Sequence, residues 1–262
     1  MNAVSLEGLN LPLWENHLDL SRYIPGNFMI PHTLDVEIIG TLHSVYKRMG
    51  IKPESVRRAG NVVLGENFYP AMFHNGYMHP VEGLIDQITI LPQDFLYTAK
   101  LCGRGNRVYQ GVAPFVWGAF DTLIYDIAGQ RPGDPFYGTL DQACERTRPI
   151  MGTMFGTPKK PYELLTAILS VEEWSADKNL CLYGLRNMIN TFLKPGGTIA
   201  VAMMVEPPAF RLPSGRIVPY PDFREREIVE FFKKQPLEGL TIRRIKHTVR
   251  GEKGVLLIIG QR

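Results

Sequence analysis

The stretch INTFLKPGGTIAVAMM, residues 189–204, decides the fold class. Upstream of its proline, Leu182, Leu185, Ile189 and Phe192 recur at helical spacing, which predicts a helix over 180–193 with one apolar side. Lys194-Pro195-Gly196-Gly197 stops that helix, because proline cannot continue it and glycine allows the chain to reverse. Thr198 to Val205 is then an unbroken apolar run, the pattern of a strand buried on both faces. A helix delivered straight into such a strand is the repeating step of an α/β sheet.

The same rhythm extends in both directions. Short apolar runs at NVVLG (61–65), QITIL (87–91), RVYQ (107–110) and DTLIYDI (121–127) predict four earlier strands, with a helix over 94–101 between the second and third. Residues 128–161 are rich in Gly and Pro and predict a long irregular segment. After the strand at 198–205 come a helix over 224–234 and two strands, 240–249 and 255–260. The five residues 250–254 join these two strands, so the last one is expected to run antiparallel. Before residue 59 the pattern differs. Leu34, Ile38, Leu42, Val45 and Met49 predict an amphipathic helix closed by Gly50, and a second short helix is expected over 13–24. The organisation expected is a helical cap over 1–58 and an α/β domain over 59–262.

The chain has 262 residues, long enough to bury a full core, and its 45% hydrophobic and 21% charged content is that of an ordinary folded domain. A net charge of +3 permits RNA or phosphate as a partner without indicating one. Its densest basic run, Arg243-Arg244-Ile245-Lys246-His247, alternates like a strand with one solvated face. Cys102, Cys144 and Cys181 lie far apart with no C-x-x-C pair, so neither a zinc site nor a disulfide framework is indicated, and a reducing, cytoplasmic location is expected. The first thirteen residues lack the pattern of a secretory signal, and no apolar run approaches the ~20 residues of a membrane span.

A helix ending in Leu-Lys-Pro-Gly-Gly and running at once into an apolar strand resembles class I S-adenosylmethionine-dependent methyltransferases. FDTLIYD (120–126) looks like that family's fourth strand, and the closing GVLLIIG (254–260) is similar to its seventh. The resemblance spans residues 61–260. It implies a three-layer Rossmann-like sheet, mostly parallel with an antiparallel last strand, and S-adenosylmethionine as cofactor. It also implies that cofactor contacts fall at the carboxyl ends of the strands. On this sequence those positions are Gly65, Glu66 and Asn67 after the first strand, Gln93 after the second, Val112 and Ala113 after the third, and Asp126 at the end of the fourth. The turn carries one glycine where the family has two or three, and Phe68, Tyr69 and Pro70 follow it closely. Gln93 stands where the family has a ribose-binding acid, and Asp94, one step later, reads as a helix cap.

Asp126 is the expected residue for orienting the methyl acceptor or the cofactor's amine, with a plain turn cap as the alternative. His74 is the candidate general base, since imidazole titrates near neutrality. His74 and His79 are not spaced for one helix face and lack a third ligand, so no metal site is expected. Phe115, Trp117 and Phe120 fit core packing better than ring stacking on a ligand. The reading is an S-adenosylmethionine-dependent methyltransferase with an unidentified acceptor. Its alternative is an inactive methyltransferase-like scaffold that binds a protein or RNA partner. A viral-type RNA cap ribose methyltransferase is disfavoured, because Met203 or Met204 occupies the strand-five position where that group carries a catalytic lysine.

Overall fold

The computed structural model describes residues 31–63, 67–103, 113–129, 133–211, 217–246 and 253–262. Seven strands form one sheet: β1 (Arg58–Val62), β2 (Leu84–Thr89), β3 (Thr147–Met151), β4 (Tyr162–Ile168), β5 (Leu193–Met204), β8 (Glu238–Ile245) and β9 (Val255–Gln261). A separate two-residue pair, β6 (Phe210–Arg211) and β7 (Ile217–Val218), interrupts the series. The helices are α1 (Thr33–Arg48), α2 (Tyr69–Asn75), α3 (Pro92–Leu101), α4 (Ala113–Ala128), α5 (Thr139–Arg146), α6 (Lys178–Asn187) and α7 (Glu225–Lys233).

The strand order is β3-β2-β1-β4-β5-β9-β8. β1 to β5 run parallel, and β9 is antiparallel to both its neighbours, as the short connection at 250–254 predicts. The order reverses at β1, which has β2 on one side and β4 on the other. In open parallel sheets that reversal opens a crevice at the strands' carboxyl ends.

Consecutive residues on each strand face opposite layers. Ala59, Ile85, Leu164, Ile168, Ala200 and Leu257 pack beneath α1, α2, α4 and α5. Val62, Ile88, Leu165, Ala167, Val201 and Ile258 pack against α6, the turn that follows it and α7 through Leu185, Ile189, Phe231 and Phe232. This double burial explains the near-continuous apolar runs in the sequence. Between α6 and β5 the chain makes one π-helical turn, Met188–Phe192, and β5 already begins at Leu193, where it meets Tyr162. The helix is therefore ended by the extended Leu193, and Gly196, at φ 76°, lies where the β4–β5 register shifts between Leu193 and Thr198.

Two expectations are corrected. Residues 121–127 are the second half of helix α4, and the fourth strand is Tyr162–Ile168. Trp117, Phe120, Ile124 and Ala128 are the buried positions, a spacing of three, four and four that only a helix produces, while Thr122 and Asp126 face solvent. The segment 128–161 is also not a plain loop: it holds α5 and β3. β3 is an edge strand, which is why Pro149 is tolerated within it. The run at 107–110 and the short helix at 13–24 lie outside the described residues, as does the end of the strand expected over 240–249. Among the described residues no helix is long and apolar enough to cross a membrane, and no three His, Cys, Asp or Glu side chains cluster as a metal site.

At the amino edge a charged knot fastens four strands. Asp86 of β2 accepts from Arg58 of β1 at 2.6 Å, from the Tyr162 hydroxyl of β4 at 2.9 Å, and from Arg148 of β3. A buried carboxylate is tolerable there only because three donors surround it.

Candidate functional site

The carboxyl edge at the β1–β4 reversal is built on a polar row. Asn61 of β1 is in register with Gln87 of β2 and Thr166 of β4, and the three buried side chains meet there. Gln87 Nε2 then donates to the backbone carbonyl of Asn67 at 3.1 Å, pinning the entry of α2 above the strand ends. Beside it the Ser170 hydroxyl donates to the Val62 carbonyl at 2.9 Å, which ties the exit of β4 to that of β1.

Two residues on this edge hold strained backbone. Leu169, directly after β4, has φ 53°, and Glu206, just after β5, has φ 47°. Neither is a residue type that adopts the left-handed region cheaply, and such strain concentrates at functional edges. Glu172 reaches back to accept the Met204 N–H at 3.1 Å, joining the two exits.

Asn67 is 9% exposed, and its Oδ1 has no hydrogen-bond partner among the described residues. Next to it, the buried Tyr69 hydroxyl faces both Asn67 and Asp35 without hydrogen-bond geometry to either. Burial drives the Tyr69 phenol well above its ordinary range, so it stays protonated. Asp35, from the first turn of α1, is 7% exposed. Burial raises its carboxyl to about 6, even though the His32 backbone N–H donates to Oδ2 at 2.9 Å and opposes the shift. An unsatisfied amide oxygen, a phenol and a carboxyl that titrates near neutrality therefore converge above β1. Asn67 is one of the contacts expected from the sequence, whereas Asp35 and Tyr69 were not expected here. Asp35 was visible only as a polar residue on the apolar side of α1, next to Leu34 and Ile38.

The other expected residues are placed as follows. Gly65, Glu66 and Val112 lie outside the described residues. Gln93 falls in the first turn of α3, and Ala113 is the first residue of α4. Asp94, also in the first turn of α3, is buried and accepts from the Thr89 hydroxyl at 3.1 Å, so it points back to the end of β2. Asp126 is not at a strand end: it is exposed on the last turn of α4. His74 is fully buried between α1 and α2, with Nε2 at 3.4 Å from the Tyr46 hydroxyl and the Asn61 amide beside its other nitrogen. Burial lowers its pKa to about 3. A sealed imidazole that weak is a packing residue, a poor proton acceptor at neutral pH. His79 accepts the Glu82 N–H at 3.2 Å in a turn. Trp117 and Phe120 are core, with Phe120 stacked on Tyr69 at 5.1 Å.

No family model matches the sequence, and no curated protein aligns with it. Solved structures share its fold, three of them at a TM-score of 0.50. These three are the [4+2]-cyclase SpnF (14% identity, TM-score 0.50, 85% of this chain and 80% of that one), a SAM-dependent methyltransferase from Methanosarcina mazei (9%, 0.50, 82% and 96%) and the CurJ carbon methyltransferase (11%, 0.50, 93% and 58%). With the strand order above, they show the fold: a Rossmann-like sheet of the kind found in S-adenosylmethionine-dependent methyltransferases. At such identities the likeness establishes architecture, and the chemistry must be argued from the residues.

Proposed function

We propose that this protein is an S-adenosylmethionine-dependent methyltransferase acting on an acceptor still to be identified. The observation that carries the reading is the buried Asn67 amide oxygen at the sheet's reversal point, which has no hydrogen-bond partner among the described residues. A buried acceptor left unsatisfied costs about 1–3 kcal/mol, and the cofactor's ammonium or ribose hydroxyl is a donor of the right kind. The cofactor contacts we assign are Gly65, Glu66 and Asn67, with Gln93 on the β2 side and Val112 and Ala113 at the entry to α4. Bound there, S-adenosylmethionine supplies a methyl group already activated on sulfur, so the chain need only align the acceptor and exclude water. Asp35 is the group we assign to take a proton from the acceptor, since a carboxyl near 6 is ionised at neutral pH and still usefully basic. The three free cysteines accord with a cytoplasmic enzyme.

Calorimetric titration with S-adenosylmethionine and S-adenosylhomocysteine tests the reading. Saturable one-to-one binding is expected, and Asn67→Leu should weaken it about tenfold, the equivalent of one hydrogen bond to a charged group. Absence of heat with both ligands at high protein concentration would overturn it.

A second reading is a methyltransferase-like scaffold that binds a protein or RNA partner without the cofactor. It draws on Asp94, the acid nearest the ribose position, which is turned inward onto Thr89. That reading requires the same titration to be silent. If the partner is RNA, its binding should weaken steeply with salt.

A further inference from the structure

At the sheet's opposite, amino edge, α1 ends beside a cavity of about 260 Å³. His43 and Lys47, one turn apart on α1, form one wall. Asp134 and Phe136 from the α4–α5 connection and Tyr77 after α2 form the other, and Ile51 and Pro53 close the side. The volume lies just below the ~300 Å³ at which drug-sized sites begin, so it suits a small metabolite.

The walls are held by contacts that need no guest. The Phe136 ring rests directly on Gly76, where a Cβ would come within 2.3 Å of it. The same ring meets Tyr77 and His43 edge-on, with centroids at 5.1 and 5.7 Å. The Tyr77 hydroxyl lies 3.1 Å from Nδ1 of His43. Backbone N–H groups of Glu54 and Val56 donate to the carbonyls of Gly76 and Tyr77 at 3.3 and 2.9 Å, which fastens the α1–β1 connection to the floor.

Two opposite charges face this preformed space. One carboxylate oxygen of Asp134 accepts the Phe136 N–H at 3.0 Å. Among the described residues, neither Asp134 nor Lys47 enters an ion pair. Both are close enough to act on the His43 ring. Burial, then Lys47, lower its pKa, and Asp134 opposes them. The two charges thus act on the imidazole in opposite directions.

We propose that this cavity binds a small zwitterion with an apolar body, of the α-amino-acid class, its carboxylate on Lys47 and its ammonium on Asp134. A guest with one charge can meet only one of the two side chains and forgoes the second charge-assisted contact. A guest with both charges satisfies both, while an apolar side chain covers Phe136 and Ile51. The site is separate from the carboxyl edge and does not depend on methyl transfer.

The full chain is titrated with L-leucine and L-phenylalanine, and with N-acetyl-L-phenylalanine and phenethylamine, which lack the ammonium and the carboxylate respectively. Phenylalanine should bind and raise the melting temperature, and each singly charged analogue should bind about tenfold or more weakly, having lost one charge-assisted contact. In Lys47→Met the preference over phenethylamine should vanish, and in Asp134→Asn the preference over the acetylated compound should vanish. Both side chains sit at the cavity rim, so the ligand-free melting curves should match the parent. The proposal is overturned if neither amino acid binds saturably in the millimolar range, or if the singly charged analogues bind the parent equally well. It also fails if both variants keep the full preference, because the amino acid would then be bound elsewhere.

Discussion

The carboxylate of Asp121 accepts the Thr139 hydroxyl at 2.6 Å and, with the same oxygen, the Leu140 N–H at 3.2 Å. Helix α5 begins after Gly138, which has φ 64° and no side chain to cap it, so its cap comes from α4 eighteen residues upstream. This contact fixes α4 and α5 to each other above the sheet.

Asp121→Ala should therefore behave as the loss of a helix cap although the residue sits in another helix. A cost of about 1–2 kcal/mol in urea unfolding is expected, with Thr139→Ala costing less. The double variant should cost clearly less than the sum of the two single changes. Strict additivity would mean that the two side chains do not act together.

Asp35 and His74 give a pH signature that neither shows alone. The Asp35 carboxyl is raised from 3.8 to about 6, so the folded state holds its proton longer and stability falls as pH rises through that window. His74 is lowered from 6.5 to about 3, so the unfolded state binds its proton first and stability falls as pH drops below 6.5. Between roughly pH 4 and 6 the two slopes have opposite sign and cancel. Asp35→Asn should remove one of them, leaving a loss of about 1.4 kcal/mol per pH unit on acidification from 6 to 4. An unchanged slope in that variant, measured by denaturant unfolding at several pH values, would count against the assigned burial of Asp35.

The Asp86 knot should be intolerant of losing its centre. Asp86→Asn leaves Arg58 and Arg148 without their carboxylate, and about 3 kcal/mol or more of stability should go with it. Arg148→Met should cost less, because that side chain is 32% exposed and water can replace part of the contact. Chemical denaturation of the two variants side by side checks the ranking.

Gly76→Ala should destabilise by about 1–3 kcal/mol, since its Cβ would overlap the Phe136 ring. Adding Phe136→Ala to it should cost less than Phe136→Ala costs in the parent, because the truncation relieves the overlap that the alanine created. Equal costs in the two backgrounds would show that the ring can move aside freely.

Much of the architecture was legible in residue order alone. The run from Ile189 to Met204, the amphipathic α1 and the short link before Val255 specify a mostly parallel α/β sheet with an antiparallel last strand, because burial patterns along single elements are local. The identity of the fourth strand was not legible. DTLIYDI is seven residues long, too short for a period of 2 to be told from one of 3.6. It is a helix because Trp117 and Phe120 precede it on the same face, against Tyr69 and the sheet. Nor could spacing in the chain bring Asp35 to Asn67 and Tyr69, or Lys47 to Asp134. Those meetings depend on how α1 and the α4–α5 insertion lie across one layer, and that placement is set by packing between segments far apart in sequence.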